Sequence, residues 1–166
     1  GINEFDRVLG GGIVEGSVIL LGGEPGLGKS TITLQAASHM SKNKTILIVS
    51  AEESAEQIKM RYDRLELEAG DLQVVLESDL EVIMEEHIPH IKPDFLIIDS
   101  IHTIASSRID GAPGSPRQVK HCEVMLRQFA KSTGMPILMI GQVTKSGDVA
   151  GSNSLQHDVD AVKIAA

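Results

Sequence analysis

The sequence is poor in aromatic side chains, with no tryptophan, one tyrosine and three phenylalanines in 166 residues. Proteins that hold single-stranded nucleic acid tightly do so largely by stacking bases on such rings, so an autonomous base-stacking module is excluded. The acidic balance, 23 Asp and Glu against 15 Lys and Arg, also repels a phosphate backbone. Cys122 is the only cysteine, which rules out an internal disulfide and a zinc site. The sequence has no run of roughly 18 uncharged apolar residues, and its start lacks the charged, apolar and cleavage regions of a secretory leader. A cytoplasmic location with no membrane partner is the expectation.

What is present is a core-forming chain. Hydrophobic residues make up 42% of it, and a domain of this size buries about 70% of the surface that its unfolded form exposes. One domain over residues 1–166 is expected. Charge is uneven: residues 50–90 hold twelve acids and three bases, residues 1–49 four of each, and residues 91–166 seven acids and eight bases. The acidity is therefore central, and the flanking segments are close to neutral.

Apolar runs alternate with stretches of helical period, the pattern of strands joined by crossover helices. Strands are expected at Val18–Leu21, Thr45–Ser50, Leu72–Leu76, Phe95–Asp99, Pro136–Gly141 and Val159–Ile164. Several are apolar throughout, which suits a mostly parallel α/β sheet covered by helices on both faces. Helices are expected at Lys29–Ser41, Ser54–Leu67, Leu80–His87 and Arg117–Thr133, with Ser54 and Ser115 as N-caps and Pro116 in a first turn. Val119, Cys122, Met125, Leu126 and Phe129 recur at three- and four-residue steps and form a core-facing stripe. Ser106–Ser115 and Thr144–Ser154, rich in Gly and Ser, read as mobile loops. The six histidines are scattered, with no ligand spacing, and Tyr62 reads as helix packing.

Gly23-Glu24-Pro25-Gly26-Leu27-Gly28-Lys29-Ser30 fits the pattern Gly-x-x-x-x-Gly-Lys-Ser/Thr, placed after a strand and before a helix. The glycines let backbone N–H groups turn inward on an anion, and the helix beginning near Lys29 adds its positive end. Lys29 supplies a charge for the β- and γ-phosphates of ATP. Ser30 offers a hydroxyl to Mg²⁺, and Thr31 a donor to the α-phosphate. Asp99 closes an apolar strand, where a carboxylate holds the Mg²⁺ shell through water. Glu52 and Glu53 stand just past another strand end. Glu52, nearer the strand, is assigned to orienting the attacking water, whereas both acids also favour the start of the following helix. Gln142, at the end of the fifth strand, is placed to contact the γ-phosphate.

Together these residues resemble the RecA-like P-loop ATPase core, and more narrowly the RadA (Sms) family of bacterial DNA repair ATPases. The narrower likeness rests on Phe5-Asp6-Arg7-Val8-Leu9-Gly10-Gly11-Gly12, on Val49-Ser50-Ala51-Glu52-Glu53-Ser54-Ala55-Glu56-Gln57-Ile58-Lys59, and on Ile98-Asp99-Ser100-Ile101. It continues through Gly114-Ser115-Pro116-Arg117-Gln118-Val119 and Val143-Thr144-Lys145. The resemblance implies an ATP-driven, homo-oligomeric motor, a ring or filament, on single-stranded or branched DNA, with Glu52 as the water-activating glutamate. It also implies that Ser106–Ser115 and Thr144–Ser154 face DNA, with Arg108, Arg117, Lys120 and Lys145 as the nearest bases. The family's four-cysteine zinc module, Lys-Asn-Arg-Phe-Gly motif and protease-like domain are not in this sequence, which reads as an excised or shortened core. Gln142 stands where that family has a histidine. Two other readings stay open: a nucleotide-gated assembly module like the clock-type ATPases, and a small-molecule kinase using the same loop.

Overall fold

The computed structural model describes residues 13–68 and 70–142, and the backbone of residues 161–165. Six strands follow in chain order: β1 (Val18–Gly23), β2 (Ile46–Ser50), β3 (Leu72–Leu76), β4 (Phe95–Asp99), β5 (Ile137–Gln142) and β6 (Ala161–Ala165). All pair in parallel in one sheet, in the order β3-β2-β4-β5-β1-β6.

The inner strands are apolar at nearly every position because both faces of the sheet are covered. Val18, Leu20, Leu47, Val49, Leu96, Ile98, Ile137 and Met139 belong to one core cluster. Their neighbours Ile19, Leu21, Ile46, Ile48, Phe95, Ile97, Leu138 and Ile140 belong to a second. Successive side chains alternate between the faces, so each strand feeds both cores. A fully buried Leu or Ile contributes about 1.5–3 kcal/mol over its exposed state, which is why these runs take the middle of the sheet. β3 lies at an edge, and its Val74 and Leu76 stay exposed.

The second core is closed by α1 (Lys29–Met40), through Leu34 and Ala37, and by Tyr62 of α2 (Ala55–Arg64). The first core is closed by two further helical segments, over residues 80–91 (α3) and 116–133 (α4). Segment α3 runs over residues 80–91 in three stretches: Leu80–Val82, a wider π turn at Ile83–His87, and Ile88–Ile91. It extends beyond the expected His87 end even though Pro89 lies ahead. A proline has no N–H to give and crowds the carbonyl four residues back, and the wider turn preceding it relieves that conflict. The helix stops at Lys92, which is left-handed (φ 54°). Helix α4 (Pro116–Thr133) buries Val119, Cys122 and Leu126 of the expected stripe together with Ala130, while Met125 and Phe129 are partly buried against the same core.

Three of these helices begin on side-chain caps. Ser54 Oγ accepts from Gln57 N at 3.2 Å, and Gln57 Oε1 accepts from Ser54 N at 3.0 Å, a reciprocal capping box. Asp79 Oδ1 accepts from the amides of Glu81 and Val82, and Ser115 Oγ accepts from Gln118 N. α1 is the exception. Its N-cap is Gly28, which has no side chain to offer.

The segment 106–115, expected as a mobile loop, is tied down. Gln118, 1% exposed, accepts from Ser106 N at 2.8 Å and places its amide nitrogen within 3.0–3.2 Å of the carbonyls of Ser106, Ile109 and Gly111. Glu81 of α3 accepts from Ser106 Oγ, Ser107 N and Ser107 Oγ. A Gly/Ser-rich composition suggested freedom, and one buried glutamine with one glutamate ties the stretch from Ser106 to Gly111 to the body of the domain. The other expected loop, Thr144–Ser154, lies outside the described residues.

Among the described residues, no helix is long and apolar enough to cross a membrane.

Candidate active site

The carboxyl ends of four adjacent strands, β2, β4, β5 and β1, converge on one cleft. Ser50 of β2 sits level with Asp99 of β4, and Gly23 of β1 level with Gln142 of β5. Residues just past or at these ends are therefore neighbours: Glu52 after β2, Asp99 on β4, Gln142 on β5 and the glycine-rich turn after β1. A cavity of about 380 Å³ lies between them, lined by Pro25, Gly26 and Gly28 to Thr31, by Glu52, Glu53, Asp99 and Ser100, and by Gln142.

The turn is built for an anion. Gly26 (φ 83°) and Gly28 (φ 76°) hold left-handed conformations that ordinary residues avoid, and a Cβ at either position would project into open space. With no cap and no acid in its first turn, α1 leaves its leading N–H groups without intrahelical acceptors. Lys29 is 8% exposed and donates from Nζ to the carbonyls of Gly23 at 2.7 Å and Glu24 at 2.6 Å. Desolvation lowers its pKa below the usual lysine value, and the nearby charges of Asp99 and Glu52 oppose that drop. The ammonium is thus anchored on the backbone of the turn itself.

Opposite it, the hydroxyl of Ser30 hydrogen-bonds Asp99. Burial pushes the Asp99 carboxyl above its ordinary range; the Ser30 bond opposes this, Glu52 and Glu53 add to it, and Arg61 works against it. The Ser30 hydroxyl in contact with the Asp99 carboxyl offers the two hard oxygen donors that Mg²⁺ takes from a protein alongside water and phosphate oxygens. The residues present fit both Mg²⁺ and a triphosphate.

Glu52 Oε1 accepts from Ser100 Oγ at 3.2 Å, which orients its carboxylate toward β4. Glu53 instead pairs with Arg61 of α2. Arg61 and Arg64 line the same cleft. Sequence reasoning passed over both, because no local motif marks them; the available signal was their three-residue spacing, which puts them on one face of the helix that follows Glu53.

The structure therefore brings together Pro25, Gly26, Gly28, Lys29, Ser30 and Thr31 of the turn with Glu52, Asp99 and Gln142; Gly23 and Glu24 join through their carbonyls on Lys29, and Leu27 does not line the cleft. It does not bring the basic DNA-facing candidates into this cleft. Arg108 is paired with Glu85 of α3, Lys120 with the buried Glu123, and Arg117 is exposed on the first turn of α4. Lys145 lies outside the described residues.

Comparison with known proteins gives a consistent picture. A family described as AAA domain (AAA_25) matches residues 2–148. The chain is 46% identical over 162 residues to the DNA repair protein RadA of Bacillus subtilis, covering 97% of this chain and 35% of that protein. It is 47% identical over 161 residues to the RadA of Streptococcus pneumoniae, covering 97% and 38%. It thus spans about a third of the length of these curated relatives. Among solved structures, a DnaB-like replicative helicase superposes with a TM-score of 0.79 at 14% identity, over 98% of this chain and 49% of that one. A KaiC-like protein from Pyrococcus horikoshii gives 0.70 at 19% identity, over 96% and 76%.

Proposed function

Because the chain belongs to the AAA-domain family and is a RecA-like P-loop ATPase domain, we propose that it binds Mg²⁺ and ATP in the strand-end cleft and hydrolyses the β–γ phosphoanhydride. The energy would drive a DNA repair and recombination motor on single-stranded or branched DNA, in the cytoplasm, with this domain as one subunit of a homo-oligomeric ring or filament. The observation that carries the catalytic part is the meeting of buried Lys29, the Ser30–Asp99 contact and Glu52 around one cavity. The likeness to proteins named for DNA repair supports the DNA part.

In this reading the amides of the glycine-rich turn and of the first turn of α1 hold the phosphate chain, while Lys29 exchanges the carbonyls of Gly23 and Glu24 for phosphate oxygens. Ser30 and Asp99 would hold Mg²⁺, Asp99 through water; when bound, the ion offsets charge on the β- and γ-phosphates. Glu52, held by Ser100, accepts a hydrogen bond from the attacking water. The water oxygen bonds to the γ-phosphorus, the bond from that phosphorus to the bridging oxygen breaks, ADP leaves, and the proton passes to Glu52. Gln142, at the tip of β5, contacts the γ-phosphate and couples its loss to the chain that follows. Arg117 and Lys145 are the DNA-facing bases of this reading. The test is phosphate release with and without single-stranded DNA, alongside oligomer mass: stimulation by DNA is expected, and its absence defeats the motor reading.

One observation favours a second reading, a nucleotide-gated assembly module without direct DNA action. The 106–115 segment is pinned by Gln118 and Glu81, and Arg108 and Lys120 are engaged by acids of the same chain. ATP-dependent assembly with no effect of DNA on turnover is the outcome that supports it.

A further inference from the structure

Two carboxylates stand side by side past the end of β2, and the cleft treats them differently. Glu52 accepts a hydrogen bond from Ser100, beside Asp99. Glu53 is paired with Arg61, about two turns into α2, and the two side chains are only 28% and 20% exposed. An ion pair so shielded is weakly screened by salt. Its helical partner is also anchored: the Ser54–Gln57 capping box lies between the two residues, and the partly buried Tyr62, next to Arg61, packs against the core.

Both carboxylates line the cavity that contains Lys29 and Ser30. If Glu53 were free, it would be a second acceptor for the same water and a further negative charge facing the γ-phosphate. We propose that Arg61 is a positioning residue for hydrolysis: its ion pair with Glu53 withdraws that carboxylate and leaves Glu52 to orient the attacking water. The inference rests on the assignment of Glu52 given above, and it deepens that assignment by explaining why one of two adjacent glutamates does the work.

The test compares Arg61→Gln, Arg61→Lys and the double variant Glu53→Gln/Arg61→Gln in this chain. Readouts are kcat and KM for Mg·ATP, the Kd of a fluorescent ATP analogue, and Tm. Arg61→Gln should lower kcat by about tenfold or more while KM and Kd move less than about threefold, since the loss lies in water placement and not in nucleotide binding. Arg61→Lys, which keeps the charge, should recover part of that loss. The double variant should recover most of it, because the amide that Glu53→Gln introduces carries no charge to face the γ-phosphate, accepts from water more weakly than a carboxylate and cannot take its proton. Wild-type turnover in Arg61→Gln overturns the inference. So does a double variant as slow as Arg61→Gln, which would mean that the guanidinium acts on phosphate directly or only supports the fold. Glu52→Gln, measured in parallel, separates the two levels. If that variant turns over normally, the assignment of Glu52 fails; if it is inactive while Arg61→Gln is normal, only the role of Arg61 fails.

Discussion

Replacing Glu52 with glutamine removes a charge and almost no shape. The amide oxygen of the new side chain can keep the 3.2 Å bond from Ser100 Oγ, so the orientation of the side chain should survive. What is lost is the ability to take a proton from water. A positioned general base contributes roughly 10²–10⁴-fold, which at about 1.4 kcal/mol per factor of ten corresponds to about 3–5 kcal/mol of transition-state stabilisation. Binding should move the other way. The cleft carries Glu53 and Asp99 besides Glu52, and removing one negative charge beside a polyanionic ligand relieves repulsion of about 1–2 kcal/mol at an effective dielectric constant near 20–40. Glu52→Gln should thus bind ATP as tightly as the wild type or more so, while phosphate release falls at least a hundredfold. Steady-state phosphate release at saturating Mg·ATP, with displacement of a fluorescent ATP analogue, measures both. Turnover within about threefold of wild type would refute the assignment, and a parallel collapse of affinity and turnover would show that Glu52 acts in binding instead.

Other outcomes follow from the same structure. Gln118→Leu should release residues 106–115, seen as faster amide exchange at Ser106 and a stability loss of about 2–3 kcal/mol from the orphaned backbone groups, with ATP affinity unchanged. Glu123 is fully buried and clamps Lys120 at 3.4 Å and Arg127 at 3.2 Å; Glu123→Ala should cost about 3 kcal/mol in urea unfolding, at the lower end for a broken buried ion pair because both cations can reach water. Burial pushes the Cys122 thiol from 9.0 up to about 12. The folded state therefore keeps a proton that the unfolded chain loses above pH 9, and stability should fall with rising pH, by about 1.4 kcal/mol per unit over that window. Comparing Cys122→Ala with wild type isolates this slope, and the native thiol should resist alkylation at neutral pH.

Most of the site was legible in the sequence because its parts are local. The glycine-rich turn is eight consecutive residues, and Asp99 and Glu52 are marked by the apolar strands that precede them. Those strands were visible because a sheet covered on both faces leaves no room for polar residues within them. What was hidden depends on tertiary arrangement. Arg61 and Arg64 look like ordinary charges on an exposed helix until the sheet order sets α2 beside the cleft. Residues 106–115 look free until Gln118, several residues on, folds its amide under them. The extension of α3 past Pro89 was missed because proline is a helix breaker in an α-helix, and a π turn accommodates it.

Everything proposed for the cleft depends on productive binding of Mg·ATP by Lys29 and the turn around it. Phosphate release by the wild-type chain and by Lys29→Ala, with and without Mg²⁺ and with Tm recorded for both, tests it most directly. Mg²⁺-dependent release that vanishes in Lys29→Ala while the fold persists is the expected result. Release that continues without Lys29 would contradict it.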